Sequence, residues 1–221
     1  MKSLSVFSFL LLFFTASHAQ SKIDSLKTAR DSALRTAIKA DSAKINKEYD
    51  SMERWAKVES KLEFPYIKGG KYSGVIPVAN PTEVPDPNIE YKILFELTNF
   101  TDSTAKEISD GINEVVRVIN LHVASGISPK KIIPVLVVHA GALHYFKNNA
   151  AYQKRFKIDN PNLALLHELQ TKLGAKFIAC GQAMEFINVK KEELIPEMLI
   201  SYTAKTVITG YQLKGFVLLK E

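Results

Sequence analysis

The sequence predicts an α/β protein, a three-layer α/β/α sandwich built on a mainly parallel sheet of about five strands and preceded by an N-terminal helical arm. From residue 90 onward, short apolar runs alternate with stretches of helical periodicity, which is typical of a parallel sheet covered by helices. The run 132–138 is almost unbroken in its apolar character, as expected of a strand buried on both faces. A glycine- and proline-rich stretch, 63–89, separates this region from the arm.

The first 19 residues are typical of a cleavable signal peptide. Lys2 supplies a positive start, residues 6–14 form a compact apolar run, and small residues at Ser17 and Ala19 suit a signal peptidase. The apolar run is shorter than the roughly 20 residues that a membrane span needs, which disfavours the alternative of a retained anchor. We therefore predict a secreted or periplasmic protein, cleaved near Ala19 and Gln20, with no membrane contact after cleavage.

Residues 20–62 are predicted to form a long helical arm, because they contain no glycine or proline. Their apolar residues recur at roughly helical spacing: Ile23, Leu26, Leu34, Ile38, Ile45, Tyr49, Met52 and Trp55. This thin stripe favours packing on a partner or on the main domain. A partly disordered arm is the alternative, since a lone helix is seldom stable in water. Residues 63–89 then predict an irregular linker or wrap.

Residues 90–221 are predicted to form one domain. Its strands are expected at 91–97, 132–138, 176–180, 198–200 and 215–219. Thr104 and Glu107 fit a capping box, which predicts a helix from there to about Val123, ended by Ser125 and Gly126. A second helix is expected to open at Pro161 and to close at Gly174.

Charge and cysteine content exclude some classes of protein. The formal net charge of +6 is spread along the chain, mostly on lysine, without an arginine-rich or aromatic patch, so nucleic acid is not a predicted partner. The chain has a single cysteine, which cannot form an internal disulfide. The fold must therefore be held by its hydrophobic core.

That cysteine, Cys180, is the first candidate site residue. Ligands of parallel sheets bind beyond the carboxyl ends of the strands, which here means the loops 98–104, 139–150 and 180–190. Cys180 ends the third predicted strand, and Gly181 then leads into a short helix whose free amides favour the nucleophilic thiolate. The alternative is that Cys180 packs as a small apolar residue.

His139 is the second candidate, because it follows the second predicted strand. It is suited to orienting a ligand or assisting a proton transfer, although a histidine bonded to local backbone is the simpler interpretation. His139, His144 and Cys180 match no strong zinc pattern, so we predict no metal and no cofactor. The first loop, 98–104, is rich in hydroxyls but lacks glycine and contains Asp102. It is therefore predicted to cap a helix rather than to bind phosphate.

The segments 137–142 (VVHAGA) and 173–184 (LGAKFIACGQAM) resemble the DsrE/DsrF-like family of sulfur-relay proteins and their relatives. The resemblance covers about residues 90–221 and leaves the arm outside it. It implies a parallel sheet between helices and a homo-oligomer, often a trimer or hexamer. It also implies that Cys180 corresponds to a cysteine that carries persulfide sulfur, while His139 matches the histidine after the second strand.

The sequence departs from the family in two ways. It is predicted to be exported, whereas relay members usually work in the cytoplasm, and it carries the N-terminal helical arm. The leading hypothesis is an exported sulfur carrier or sulfurtransferase-like protein with Cys180 as persulfide acceptor and a protein donor or acceptor of sulfur as partner. The alternative is a non-catalytic oligomeric binding or assembly module with Cys180 buried. A flavin or nucleotide binder using the first loop is a third hypothesis.

Overall fold

The computed structural model describes the backbone of residues 5–221 and the side chains of residues 24–221. The predicted signal peptide, 1–19, lies outside the described side chains. Two compact units are present, one ending at Val58 and the other spanning Glu59–Glu221. The first unit is formed by helix α1, Ser5–Glu59, whose large apolar side chains from Leu26 to Trp55 are each at least 52% exposed. Within the described residues, no helix is both long and apolar enough to cross a membrane.

The second unit is built on one five-stranded sheet, in which every strand pair is parallel. The strands are β1 Tyr91–Leu97, β2 Ile132–Val138, β3 Lys176–Cys180, β4 Met198–Ser201 and β5 Val217–Lys220. Their order across the sheet is β4-β3-β2-β1-β5. The predicted α/β fold and its five strands are confirmed.

Helices cover both faces of the sheet. They are α2 Asp110–Ala124, α3 Asn149–Phe156, α4 Leu163–Leu173, α5 Gly181–Phe186 and α6 Ala204–Leu213. On the first face, Phe95 and Leu136 are buried in one core with α2 and α4. On the second face, Leu94, Val137 and Ile178 are buried beneath α6. Alternate residues of each strand therefore serve different cores, which explains why the central strands are apolar throughout.

The helix after β1 begins later than the capping box predicts. Asp102–Thr104 is a single 3-10 turn and α2 begins at Asp110, so the predicted helix start at Thr104 is wrong. Contacts from distant parts of the chain hold the intervening segment: Tyr152 Oη donates to the carbonyl of Ala105 at 2.6 Å, and the Ser109 amide donates to Asn162 Oδ1 at 2.8 Å. The end of the helix is as predicted, with Ser125 at its C-cap.

The irregular segment before β1 contributes to the core of the second unit. Ile67 is fully buried, and the buried Asn120 of α2 binds the backbone around it. Asn120 Oδ1 accepts from the amides of Tyr66 and Ile67, while its Nδ2 donates to the carbonyls of Ile67 and Ser73. One side chain thus satisfies four backbone groups of this segment, three of them in buried hydrogen bonds.

Candidate functional site at the carboxyl ends of the strands

Cys180 is the last residue of β3, and the chain passes directly from it into α5. Its side chain belongs to the second face, in a small cluster with Val137, Ile178 and Ala204, and the residue is 5% exposed. Its sulfur lies 4.0 Å from Thr203 Oγ1, just before α6. The thiol is therefore buried in mostly apolar surroundings, with one hydroxyl beside it.

The turn after Cys180 is fixed by close packing on β4. A Cβ atom at Gly181 would lie 2.7 Å from the backbone oxygen of Ser201, which leaves no room for a side chain. The amide of Gln182 donates to the carbonyl of Tyr202 at 3.3 Å. Glycine is thus required here by proximity to a neighbouring strand end.

Two helices start beside the thiol. Cys180 occupies the N-cap of α5 and Thr203 the N-cap of α6, and neither side chain makes a capping hydrogen bond. Free amides at a helix start favour a negatively charged group nearby. The predicted helix after Cys180 is observed, whereas the contribution of Thr203 and α6 is not predicted from the sequence.

His139 is bound to a carboxylate on the neighbouring strand. Its Nε2 lies 3.0 Å from Glu96 Oε1, and the other oxygen of Glu96 lies 3.5 Å from Lys220 Nζ. The Glu96 side chain is 15% exposed, so it is more buried than the side chains of His139 and Lys220 that it contacts. Sequence reasoning missed Glu96. The available signal was an acidic residue within the otherwise apolar core of a strand.

The sheet brings His139 and Cys180 to the same edge without joining them. Val138 pairs with Ala179, so the two residues follow paired positions on neighbouring strands. Among the described side chains, however, His139 has its hydrogen bond with Glu96, and the polar contact of Cys180 is with Thr203. No direct hydrogen bond therefore joins these two side chains.

His144 belongs to a separate cluster at the first loop. Arg155 Nη1 lies 2.8 Å from its Nε2, Arg155 Nη2 lies 2.9 Å from Asp102 Oδ1, and the His144 ring packs on Phe100. Burial and the neighbouring Arg155 charge lower the pKa of His144 to about 4. Among the described residues, no group of three His, Cys, Asp or Glu side chains is placed to hold a metal ion.

The first loop lines a cavity of about 560 Å³ at the end of β1. Its walls come from the loop after β1, the start of α2, the segment after β2 and the residue after β5. They include Leu97, Thr98, Asn99, Phe100, Thr101, Ser109, Asp110, Glu114, Tyr145 and Glu221. The sequence predicts a helix-capping turn for this loop, but the helix starts elsewhere and the loop instead forms one wall of the cavity.

Comparison with known proteins identifies a family for the α/β unit. A family model described as the DsrE/DsrF-like family matches residues 111–220. No curated protein matches the sequence. A solved structure of a protein of unknown function, MTH1491 from Methanobacterium thermoautotrophicum, is similar at 13% sequence identity with a TM-score of 0.42. That match covers 60% of this chain and 100% of the other.

Proposed function

Because the α/β unit of this chain belongs to the DsrE/DsrF-like family, we propose that the protein is a sulfur carrier in which Cys180 accepts sulfane sulfur as a persulfide. The observation that carries the proposal is the position of the sole cysteine, at the carboxyl end of β3 and between the starts of α5 and α6. Ligands of parallel sheets bind at this edge, so a thiol held there is positioned to meet a sulfur donor.

The proposed step needs no external oxidant. The Cys180 thiolate attacks the outer sulfur of a donor persulfide, the sulfur–sulfur bond of the donor breaks, and the donor leaves as a thiolate. Cys180 then carries the transferred sulfur atom, and the reverse reaction with an acceptor thiolate releases it. Since Cys180 is buried, the residues packed around it have to open before a donor can reach the sulfur.

His139 is proposed as a polar helper at the same edge. Glu96 holds its ring at 3.0 Å, which fixes the orientation of the imidazole, and Glu96 in turn is held near Lys220. A positioned imidazole beside the entering donor suits the exchange of a proton with the leaving thiol. We expect His139→Gln to slow sulfur uptake, whereas the matched change His167→Gln, at an exposed position on α4, leaves uptake unchanged.

Mass spectrometry of the intact protein tests the proposal. After incubation with a glutathione persulfide donor, the native protein is expected to gain the mass of one sulfur atom, and Cys180→Ser is expected to gain none. An equal gain in the variant, or no gain in the native protein, contradicts the proposal.

The burial of Cys180 favours a second candidate function, a non-catalytic oligomeric binding or assembly module. In that case the thiol only fills space among Val137, Ile178 and Ala204. Alkylation separates the two functions. A carrier thiol reacts under native conditions at a rate far above that of global unfolding, whereas a packing thiol reacts only after the protein unfolds.

We also propose that the protein acts outside the cytoplasm, in the periplasm or as a secreted protein. The support is the pattern of residues 1–19. Sequencing the N-terminus of the protein recovered from an expressing bacterium is expected to give Gln20 as the first residue. Recovery of the uncleaved chain contradicts this proposal.

Self-assembly is the remaining part of the proposed function. The edge strand β4, the residue that follows it and the adjacent α5 expose several large apolar side chains: Phe186, Leu199, Ile200 and Tyr202. Such a surface beside an open strand edge is suited to pairing with a second copy. Light scattering is expected to give an oligomeric mass that Phe186→Glu reduces, whereas a monomeric wild-type protein rules out the assembly.

A further inference from the structure

The cavity at the end of β1 lies where the order of the strands reverses. From β1, the chain builds β2, β3 and β4 to one side and then returns to place β5 on the other. The helix after β1 covers the first face, whereas the helix before β5 covers the second. The two connections therefore diverge between β1 and β5, and such a crevice is the usual ligand site of open parallel sheets.

A buried hydroxyl opens into this cavity. Ser109 is 5% exposed, lines the cavity and stands at the N-cap of α2, yet its side chain makes no capping bond. No described residue is a hydrogen-bond partner of its Oγ. Every solvent-inaccessible side-chain oxygen or nitrogen of the described residues does have a partner. The Ser109 hydroxyl must therefore be open to the cavity, where it is free to accept a hydrogen bond from a ligand.

The charged groups around the cavity are acidic. Asp110, Glu114 and Glu221 line it, and none of the described lining residues is a lysine or arginine, although the chain as a whole carries a net charge of +6. Glu114 is occupied by Arg117, whose Nε lies 2.6 Å from Glu114 Oε2. Among the described residues, Asp110 and Glu221 have no ion-pair partner. Burial and the nearby Glu114 raise the pKa of Glu221, and the charge of Arg117 opposes this rise only in part.

The remaining walls suit an organic ligand. Phe100, Tyr145 and Tyr72 contribute aromatic surface, and the volume of about 560 Å³ is within the range of metabolite-sized sites. Aromatic faces and carboxylates together attract cations, and the acidic lining repels phosphate. The lining therefore disfavours the phosphate of a flavin or nucleotide as the group that the first loop would hold.

We propose that this cavity binds an organic cation. Its ammonium or guanidinium group lies against the carboxylates of Asp110 and Glu221 and donates a hydrogen bond to the Ser109 hydroxyl. The site is distinct from Cys180, which faces the other side of the sheet, and it does not depend on sulfur chemistry.

Calorimetric titration with spermidine at low ionic strength tests the proposal on the full protein. Saturable binding is expected for spermidine, and none for inorganic phosphate or for triethylene glycol, an uncharged compound of similar length. Asp110→Asn and Glu221→Gln are each expected to weaken binding about fivefold. Glu107→Gln removes an exposed carboxylate close to α2 that does not line the cavity, and it is expected to leave the affinity unchanged.

Two further variants keep the test decisive. Ser109→Ala is expected to weaken spermidine binding while the thermal midpoint is retained, because its hydroxyl makes no capping bond. Cys180→Ser is expected to bind normally, which separates this site from the proposed sulfur site. The proposal is overturned if spermidine does not bind saturably, if phosphate or triethylene glycol binds equally well, or if Glu107→Gln weakens binding as much as Glu221→Gln.

Discussion

The sulfur of Cys180 lies 4.0 Å from the hydroxyl oxygen of Thr203, the residue from which α6 starts. This contact ties the end of β3 to the helix that covers the second face. Ala204, the next residue, is buried in the same cluster as the thiol. The first turn of α6 therefore packs directly beside Cys180.

Replacing Thr203 with valine removes the hydroxyl with little change in shape. We expect sulfur uptake at Cys180 to slow by roughly two- to tenfold, the worth of one hydrogen bond to the reacting thiolate. The measurement is the rate of mass gain with a persulfide donor. Thr209→Val is the matched control, because the Thr209 hydroxyl bonds only to the Lys205 carbonyl within α6. Equal rates of sulfur uptake in wild type and Thr203→Val would show that the Thr203 hydroxyl plays no part in the reaction.

Gly181→Ala should destabilise the protein. The added Cβ would lie 2.7 Å from the backbone oxygen of Ser201, so the turn or β4 has to shift, at a cost of about 1–3 kcal/mol in the free energy of unfolding. Urea denaturation measures this loss. Gly210→Ala, within α6 and with no atom near the new methyl group, is expected to be neutral or stabilising by up to about 1 kcal/mol. An unchanged free energy of unfolding in Gly181→Ala would show that the backbone of Ser201 leaves room for a side chain at this position.

Asn120→Ala tests the attachment of residues 63–75 to α2. The change leaves the backbone groups of Ile67 and Ser73 buried without partners, and a loss of about 2–4 kcal/mol in the free energy of unfolding is expected. Proteolysis within the segment should accelerate in parallel. Asn88→Ala, at an exposed position, is the control and is expected to have little effect. An unchanged unfolding midpoint in Asn120→Ala would contradict this assignment.

The stability of the protein should depend on the protonation of His144. Because its pKa is lowered to about 4 in the folded state from an ordinary value of 6.5, the unfolded chain binds the proton first as the pH falls. The contribution of neutral His144 to the free energy of unfolding is complete above pH 6.5, and it is lost progressively as the pH falls toward 4. His144→Gln is therefore expected to show a smaller loss of stability across this range, measured by urea denaturation at several pH values. His167→Gln, an exposed control, should follow the wild type.

The strands and the position of Cys180 are predicted from the sequence because both depend on local patterns. Unbroken apolar runs give β2 and β3, and Gly181 marks the turn after the cysteine. The pattern also predicts that Cys180 and His139 reach the same edge of the sheet. Their separate hydrogen-bond partners, Thr203 and Glu96, lie on other elements and carry no sequence signal that links them.

The start of α2, by contrast, is not predicted correctly from local sequence patterns. Thr104 and Glu107 fit a local capping rule, but hydrogen bonds from Tyr152 and Asn162, about 50 residues away, hold this segment out of the helix. The cavity is hidden from the sequence for a similar reason, because its walls come from segments on both sides of the sheet's reversal point. No element is predicted for 204–213, where α6 lies, since threonine and glycine weaken its helical pattern.

One measurement addresses the carrier role of Cys180 most directly: a single cycle of loading and release on the native protein. The protein is loaded with a persulfide donor, freed of excess donor, and treated with cyanide, which takes the outer sulfur as thiocyanate and leaves the Cys180 thiolate. We predict one thiocyanate per loaded chain, recovery of the original mass, and no thiocyanate from Cys180→Ser. A native protein that stays unloaded, while the unfolded chain loads readily, would contradict the carrier function and assign Cys180 to packing.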